Sequence, residues 1–243
     1  MLEGMYAAAS GMAAQQQRID ALSNDLANVN TTGYKRARVA FRDLLYTPTG
    51  QGAARGVASG AGAAATLVGR TQAQGSMQDT QRPLDLAIEG PGFLQVRDRN
   101  GRQLLTRDGS LDRHADGRLM TSTGHFTGVT LPAAVKDDDI TITTDGQVRD
   151  RARVYGKLNL VDVRAPEGLQ AVGDNLFLPT AASGRPSPVA RGTEVRQRVL
   201  EGSNVELADT MTDLIESQRG YEMASKAITT QDHMMEIANG VKR

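Results

Sequence analysis

Residues 22–36 read LSNDLANVNTTGYKR. Leu22, Leu26 and Val29 stand at helix spacing, and the chain then runs into Asn30-Thr31-Thr32-Gly33. Apolar residues three and four apart line one helix face. Glycine and asparagine accept the left-handed backbone that closes a helix. The stretch predicts a helix that stops near residue 32, with Asn28, Asn30 and Gly33 forming its end. Behind it, Met5, Met12, Ile19 and Leu26 recur every seven residues, and Ala8, Gln15, Leu22 and Val29 follow three later in each heptad. That is an a/d seam with one polar d position. Gly4 and the Ser10-Gly11 pair weaken its start, because glycine costs helix stability relative to alanine.

Nothing comparable returns until the last forty or so residues. Ser203-Asn204-Val205-Glu206 has the form of a capping box, in which the Ser oxygen serves backbone donors and the Glu reaches back. Leu207, Leu214, Tyr221, Ile228 and Met235 then recur every seven residues, with Met211, Gln218 and Ser225 between them and Gly240 at the expected end. Gln218 matches Gln15, each a polar residue in an apolar seam; such residues often set register at a cost in stability. Rods of 25–30 residues would be about 40 Å long. They would overhang a β domain of about 120 residues, whose diameter is on the order of 30 Å. The two ends are therefore expected to pair with each other and with copies from other chains.

Between the helices the period changes to two. LDLAIEG, GFLQVRD, QLLTRDG, DITITTDG and GKLNLVDV each read as a strand. Asn100-Gly101, Asp108-Gly109, Asp116-Gly117 and Asp145-Gly146 punctuate the region, and such pairs signal two-residue type I′ hairpins. The expected fold class is α+β: long terminal helices forming a coiled-coil domain, and a central, mainly antiparallel β domain. The expected division is an N-terminal helix and junction over 1–46, a Gly/Ala-rich connector over 47–78 that is flexible or extended, a β-rich domain over 79–199, and a C-terminal helix over 200–243.

Bulk properties exclude several functions. Lys plus Arg and Asp plus Glu are both 28, which gives no electrostatic reason to expect a nucleic-acid partner or an anionic membrane surface. Cysteine is absent, so there is no disulfide frame and no thiolate chemistry. Apolar residues are 39% and aromatics 4%, low against the usual 45–50% or so apolar share, so some apolar surface is expected to be completed by other chains. No 18-residue apolar run predicts membrane insertion. The N-terminus lacks the basic and apolar regions of a cleavable secretory signal.

The search for chemistry finds no catalytic, cofactor or metal site. His114, His125 and His233 are scattered and lack an HExxH-type partner. GVASGAG resembles a nucleophile elbow only loosely and falls in the connector. Asp98, Asn100 and Asp108 lie near turns, and Asp137-Asp138-Asp139 form a run, but neither group has the spacing of a calcium loop. Heptad ends without a reactive centre point to an interaction protein that is not an enzyme. Its expected assembly seam is Met5, Met12, Ile19, Leu22, Leu26, Leu207, Met211, Leu214, Tyr221, Ile228 and Met235, with Ser203 and Asn204 completing the helix-end set. The rival class is a secreted β-rich adhesin or enzyme whose helices dock on its own core.

Six stretches carry a resemblance: AAASGM, LANVNTTGYKR, FRDLLY, PLDLAIEGPGFLQV, GDNLFLPTAASG and LEGSNVELADTMTDLIESQRGYEMASKAI. They resemble the bacterial flagellar basal-body rod and hook family. Distal-rod members are the nearest match and proximal-rod members the alternative. The resemblance implies a structural subunit that polymerises through its terminal helices into a periplasmic helical tube passing torque from motor to hook. It implies export through the flagellar type III apparatus without a cleavable signal. The implied partners are copies of the chain, neighbouring rod and hook proteins and that apparatus. It also makes ANVNTTGYKR the point where the chain leaves the tube's inner coiled-coil layer.

Overall fold

Alternating apolar residues and glycine turns give strands, and the heptad segments give helices. In the computed structural model, which describes residues 2–44, 47–48, 58–60, 62–151, 153–189 and 192–240, the chain is α+β and divides into two compact units. One unit comprises Met1–Ala27, Ala37–Val68 and Glu206–Arg243; the other comprises Asn28–Arg36 and Gly69–Val205.

The first unit holds helix α1 (Leu2–Ala27) and strand β1 (Ala37–Asp43). A two-residue pair follows, β2 (Thr47–Pro48) with β3 (Ala58–Ser59). Most of β4 (Ala63–Arg70), which pairs with β1, also belongs here. Helix α2 (Leu207–Gly240) completes the unit. Helix α1 ends at Ala27, five residues before the expected stop, so Val29 lies outside it. Residues 28–36 cluster with the β unit, not with the helix that precedes them. The expected flexible or extended connector falls partly outside the described residues; within it, 63–70 and 77–79 are strands.

The second unit runs through β5 (Met77–Asp79), β6 (Leu86–Glu89), β7 (Phe93–Arg97), β8 (Gln103–Thr106), β9 (Leu111–Arg113), β10 (Arg118–Thr121), β11 (Phe126–Thr130), β12 (Thr141–Ile142), β13 (Gln147–Arg149) and β14 (Val154–Lys157). It continues with β15 (Leu160–Asp162), β16 (Gln170–Gly173), β17 (Leu176–Leu178), β18 (Ser187–Pro188), β19 (Glu194–Gln197) and β20 (Val199–Glu201). The largest sheet has the order β16-β17-β8-β7-β11-β10-β9, with β15 on β7 and β18 on β15. Smaller sheets are β12-β13-β14, β19-β6 and β20-β5. The strand pairs of this unit with a defined register are antiparallel. Inward positions, among them Leu86, Ile88, Leu94, Val96, Leu119 and Val148, form one buried cluster.

The hairpin turns share a geometry that differs from the expected type I′. In the turns at Asp98, His114, Thr121 and Thr143, the first residue's N–H donates to the carbonyl four residues on, and the glycine three residues on donates back to the first carbonyl. Only the glycines, Gly101, Gly117, Gly124 and Gly146, take positive φ (78–87°). This is the three-residue loop with a left-handed glycine. Asp108-Gly109 makes no hairpin. Gly109 lacks positive φ, and a Cβ there would stand 1.8 Å from the Leu86 carbonyl oxygen. Its glycine is required by close backbone approach: Leu86 N donates to Gly109 O at 3.0 Å.

Candidate assembly surface and chain clasp

In the helical unit, α1 and α2 lie side by side and antiparallel: Gly4 stands against Gln231, Gln15 against Gly220, and Arg18 bonds Asp213 at 3.3 Å. The contact mixes small and polar residues with half-buried apolar ones. On α2 the fully buried residues are Thr210 and Ser217. Their hydroxyls donate to the carbonyls four residues back, Glu206 and Asp213, each at 2.7 Å. Gly4 and Gly220 each leave room for a glutamine of the other helix, which gives the helix-weakening Gly4 a packing reason. Gln15 does sit in this contact, with its Oε1 buried and unbonded, but Gln218 is exposed and is not its counterpart.

The expected seam residues divide. Leu22 is buried, while Met5, Met12, Ile19, Leu26, Leu214, Tyr221, Ile228 and Met235 are half-buried. Leu207 and Met211 are exposed. Beside Leu214, Tyr221 and Ile228, Thr210 and Ser217 are buried and Ala224, Ser225 and Gln231 half-buried, whereas Met211 and Gln218 are exposed. Leu207, Met211, Ile215, Met223, Met234 and Ile237 are all exposed, Met223 to 67% and Ile215 to 52%. At 3.6 residues per turn, Met211, Ile215, Met223, Met234 and Ile237 fall on the half of α2 that faces away from Thr210 and Ser217, while Leu207, three residues before Thr210, lies on the near side.

In the β unit, residues 28–36 form a clasp with 69–75 and 199–205. Asn28 starts it: its carbonyl accepts from Thr31 N and its Oδ1 from Thr31 Oγ1, both at 3.1 Å. Asn30 is exposed. Gly33 takes φ +67°, and its N–H donates to Glu201 O at 2.7 Å. A Cβ on Gly33 would stand 2.7 Å from the Arg107 backbone, so glycine is demanded both by conformation and by space. Asn204 ties the strands together. Its Oδ1 accepts from Arg36 N at 2.7 Å, and its Nδ2 donates to the carbonyls of Thr71 and Ala73, each at 2.9 Å. Ser203 does not cap α2, which begins four residues later; its Oγ accepts from Val205 N at 3.2 Å.

Beneath the clasp lies an ionic cluster that the heptad and turn patterns do not show. Lys35, Glu201 and Arg107 are 0%, 1% and 4% exposed. Lys35 Nζ donates to Glu201 Oε1 at 2.5 Å and to Ala73 O at 2.8 Å. Arg107 donates to Glu201 Oε2 at 3.2 Å, Ile88 O at 3.1 Å and Gly90 O at 2.8 Å. Gly75 N donates to Glu201 Oε1 at 3.0 Å. Burial pulls the Lys35 ammonium below the usual lysine value, and the Glu201 carboxylate opposes that pull. The available signal is the alternation of β20: Glu201 shares the inward phase with Val199, an unusual place for a charge.

The candidate chemistry serves turns. His114 Nδ1 lies 2.8 Å from Asp116 Oδ1, His125 Nδ1 lies 3.1 Å from Thr123 Oγ1, and His233 is exposed on α2 beside Glu236. Asp98 accepts from Arg102, and Asp137 from Arg113. Asp108 is buried and accepts from Thr32 Oγ1 at 3.0 Å and Ser110 N at 3.0 Å. Among the described residues no group of three or more His, Cys, Asp or Glu could hold a metal ion, and no helix is long and apolar enough to cross a membrane.

Known proteins resemble this chain in sequence over its whole length. Residues 5–35 match the flagella basal body rod protein family, 87–149 the flagellar hook protein FlgE/F/G D1 domain, and 196–241 the flagellar basal body rod FlgEFG protein C-terminal region. The chain is 38% identical to a flagellar basal-body rod protein FlgG of Borreliella burgdorferi, with all of both chains covered. It is 38% identical to that of Agrobacterium fabrum over 98% of each chain. It is 36% identical to that of Caulobacter vibrioides over 99% of this chain and all of the relative. With helix ends, β domain and clasp all falling inside these matches, the chain belongs to the flagellar FlgE/F/G rod and hook family.

Proposed function

We propose that the chain is a structural subunit of the distal flagellar rod. It polymerises through α1 and α2 into a helical tube in the periplasm and carries torque through packing and not through chemistry. The uncovered stripe on α2 carries this reading. Met211, Ile215, Met223, Met234 and Ile237 are too many large apolar side chains to leave wet on one helix. Each contributes about 1.5–3 kcal/mol when fully buried. The α1 contact cannot supply that burial, because it occupies the other half of the helix. A second copy can, and the flank of α1 that bears Met5, Met12, Ile19 and Leu26 offers a matching apolar row. Such a contact joins two different surfaces, so it does not close as a dimer, and where the rotation does not close a ring it propagates as a helical filament. Methionine suits it, since an unbranched thioether fills gaps between inequivalent neighbours.

In this reading α1 and α2 form the inner coiled-coil layer and gain most of their order on incorporation, because helices of this kind are marginal alone in water. The further partners are neighbouring rod and hook proteins and the type III export apparatus, with delivery that needs no cleavable signal. Nucleic acid and membrane insertion play no part. Electron microscopy of concentrated full-length protein tests the proposal. The parent should form filaments or tubes. Ile215→Asp should abolish them while the β unit stays folded. Filaments of unchanged number and shape from that variant would remove the α2 stripe from the interface.

A further inference from the structure

Three segments distant in sequence meet at one buried carboxylate. Residues 28–36 bring Lys35, the chain after β8 brings Arg107, and β20 brings Glu201. Lys35 and Arg107 are both buried, and Glu201 is the carboxylate that both bond. Asp162 adds only a smaller through-space attraction on Arg107. An ion stripped of water without a partner is far more costly than a paired one. Before Glu201 is present, closing the sheet would strand two positive charges in the interior.

We propose that Glu201 is a gate on closure of the β unit. Strands β6 to β18 hold most of the buried apolar residues, yet they enclose Arg107 and, through the clasp, Lys35. The unit closes when β20 pairs with β5 and delivers the single anion that both cations share. A chain emerging N-terminus first therefore stays open until nearly all of it has arrived. The gate lies wholly within this chain and operates whether or not the protein builds a rod.

The test is amide exchange on the dilute full-length protein, read in β10 and β13, strands that do not carry the cluster. Glu201→Leu should speed exchange there by about 100-fold or more, the cost expected from breaking a buried ion pair. Glu201→Gln, which keeps the shape and loses the charge, should behave similarly. The triple variant K35M/R107M/E201L removes the charges together, which is often neutral in a protein interior. It should return exchange to within about tenfold of the parent. A Glu201→Leu chain that cannot be recovered folded, beside a triple variant that can, is the same result in stronger form. Parent-like protection in β10 and β13 of either single variant would overturn the gate. So would a triple variant as unprotected as Glu201→Leu, which would show that Glu201 acts through packing and not through charge.

Discussion

The two units bury their apolar residues to very different extents. In the β unit Leu94, Val96, Leu105, Leu119, Val148 and Leu158 are all 0% exposed, and the buried Lys35 and Arg107 are both paired with Glu201. In the helical unit Ala14, Leu22, Thr210 and Ser217 are buried, Leu214, Tyr221, Ile228 and Met235 are half-buried, and Met211, Ile215, Met223, Met234 and Ile237 stand in solvent. One chain completes the first and leaves the second unfinished. Stability and assembly should therefore separate: changes in the β unit act on folding at any concentration, and changes on the α2 stripe act only where copies meet.

The largest effect on stability should come from the β core. Leu105→Ala removes a fully buried side chain and should cost about 2–5 kcal/mol, read as a lower denaturant midpoint. An equal loss from Met223→Ala in dilute solution would erase the contrast between the units. Asn204→Ala deletes one acceptor and two donor bonds of the clasp and should cost about 1–3 kcal/mol. Its exchange should rise first around residues 34–36 and 71–73, sharpening the comparison by showing which part of the β unit the clasp holds. Ile215→Asp should change dilute stability by no more than about 0.5 kcal/mol, as exposed substitutions do, while removing filaments.

The smallest effect is at the β9–β10 turn. Desolvation raises the Asp116 carboxyl, but bonds from His114 and Arg118 outweigh it and hold it at about 2, below the ordinary aspartate value of 3.8. A depressed folded-state value means the contribution is present above 3.8 and is lost as pH falls through about 2. The thermal midpoints of parent and Asp116→Asn should differ slightly near neutrality and converge in that window. A gap that persists at the lowest pH would assign the difference to something other than this charge.

Much of this was legible in residues. The switch from heptads to period two marks both helices and the β region, and Gly33, Asn28 and Asn204 can be picked out as special before any coordinates. The turn type was not legible, because Asn-Gly and Asp-Gly pairs serve two loop lengths, and Thr123-Gly124 uses the same loop without the signal. Asp108-Gly109 looked like a hairpin turn and is a close-approach site, a distinction that depends on the Leu86 carbonyl. The end of α1 was misplaced because Val29 continues the heptad while its backbone already belongs to the clasp. The Lys35–Arg107–Glu201 cluster escaped because charges normally signal surface, and its three residues meet only through tertiary pairing. The sense of the helix seam was half legible: heptads give the half-buried Leu214, Tyr221 and Ile228, but not that the fully buried residues of α2 would be Thr210 and Ser217.

The central claim is that the helices await other copies while the β unit does not. Amide exchange on the dilute full-length protein, followed residue by residue, measures it most directly. The account predicts strong protection in β7, β8 and β10 with rapid exchange through most of α1 and α2, and slow exchange in the helices once filaments form. Helices as protected as the β core in the dilute chain, with no further slowing on concentration, would contradict it.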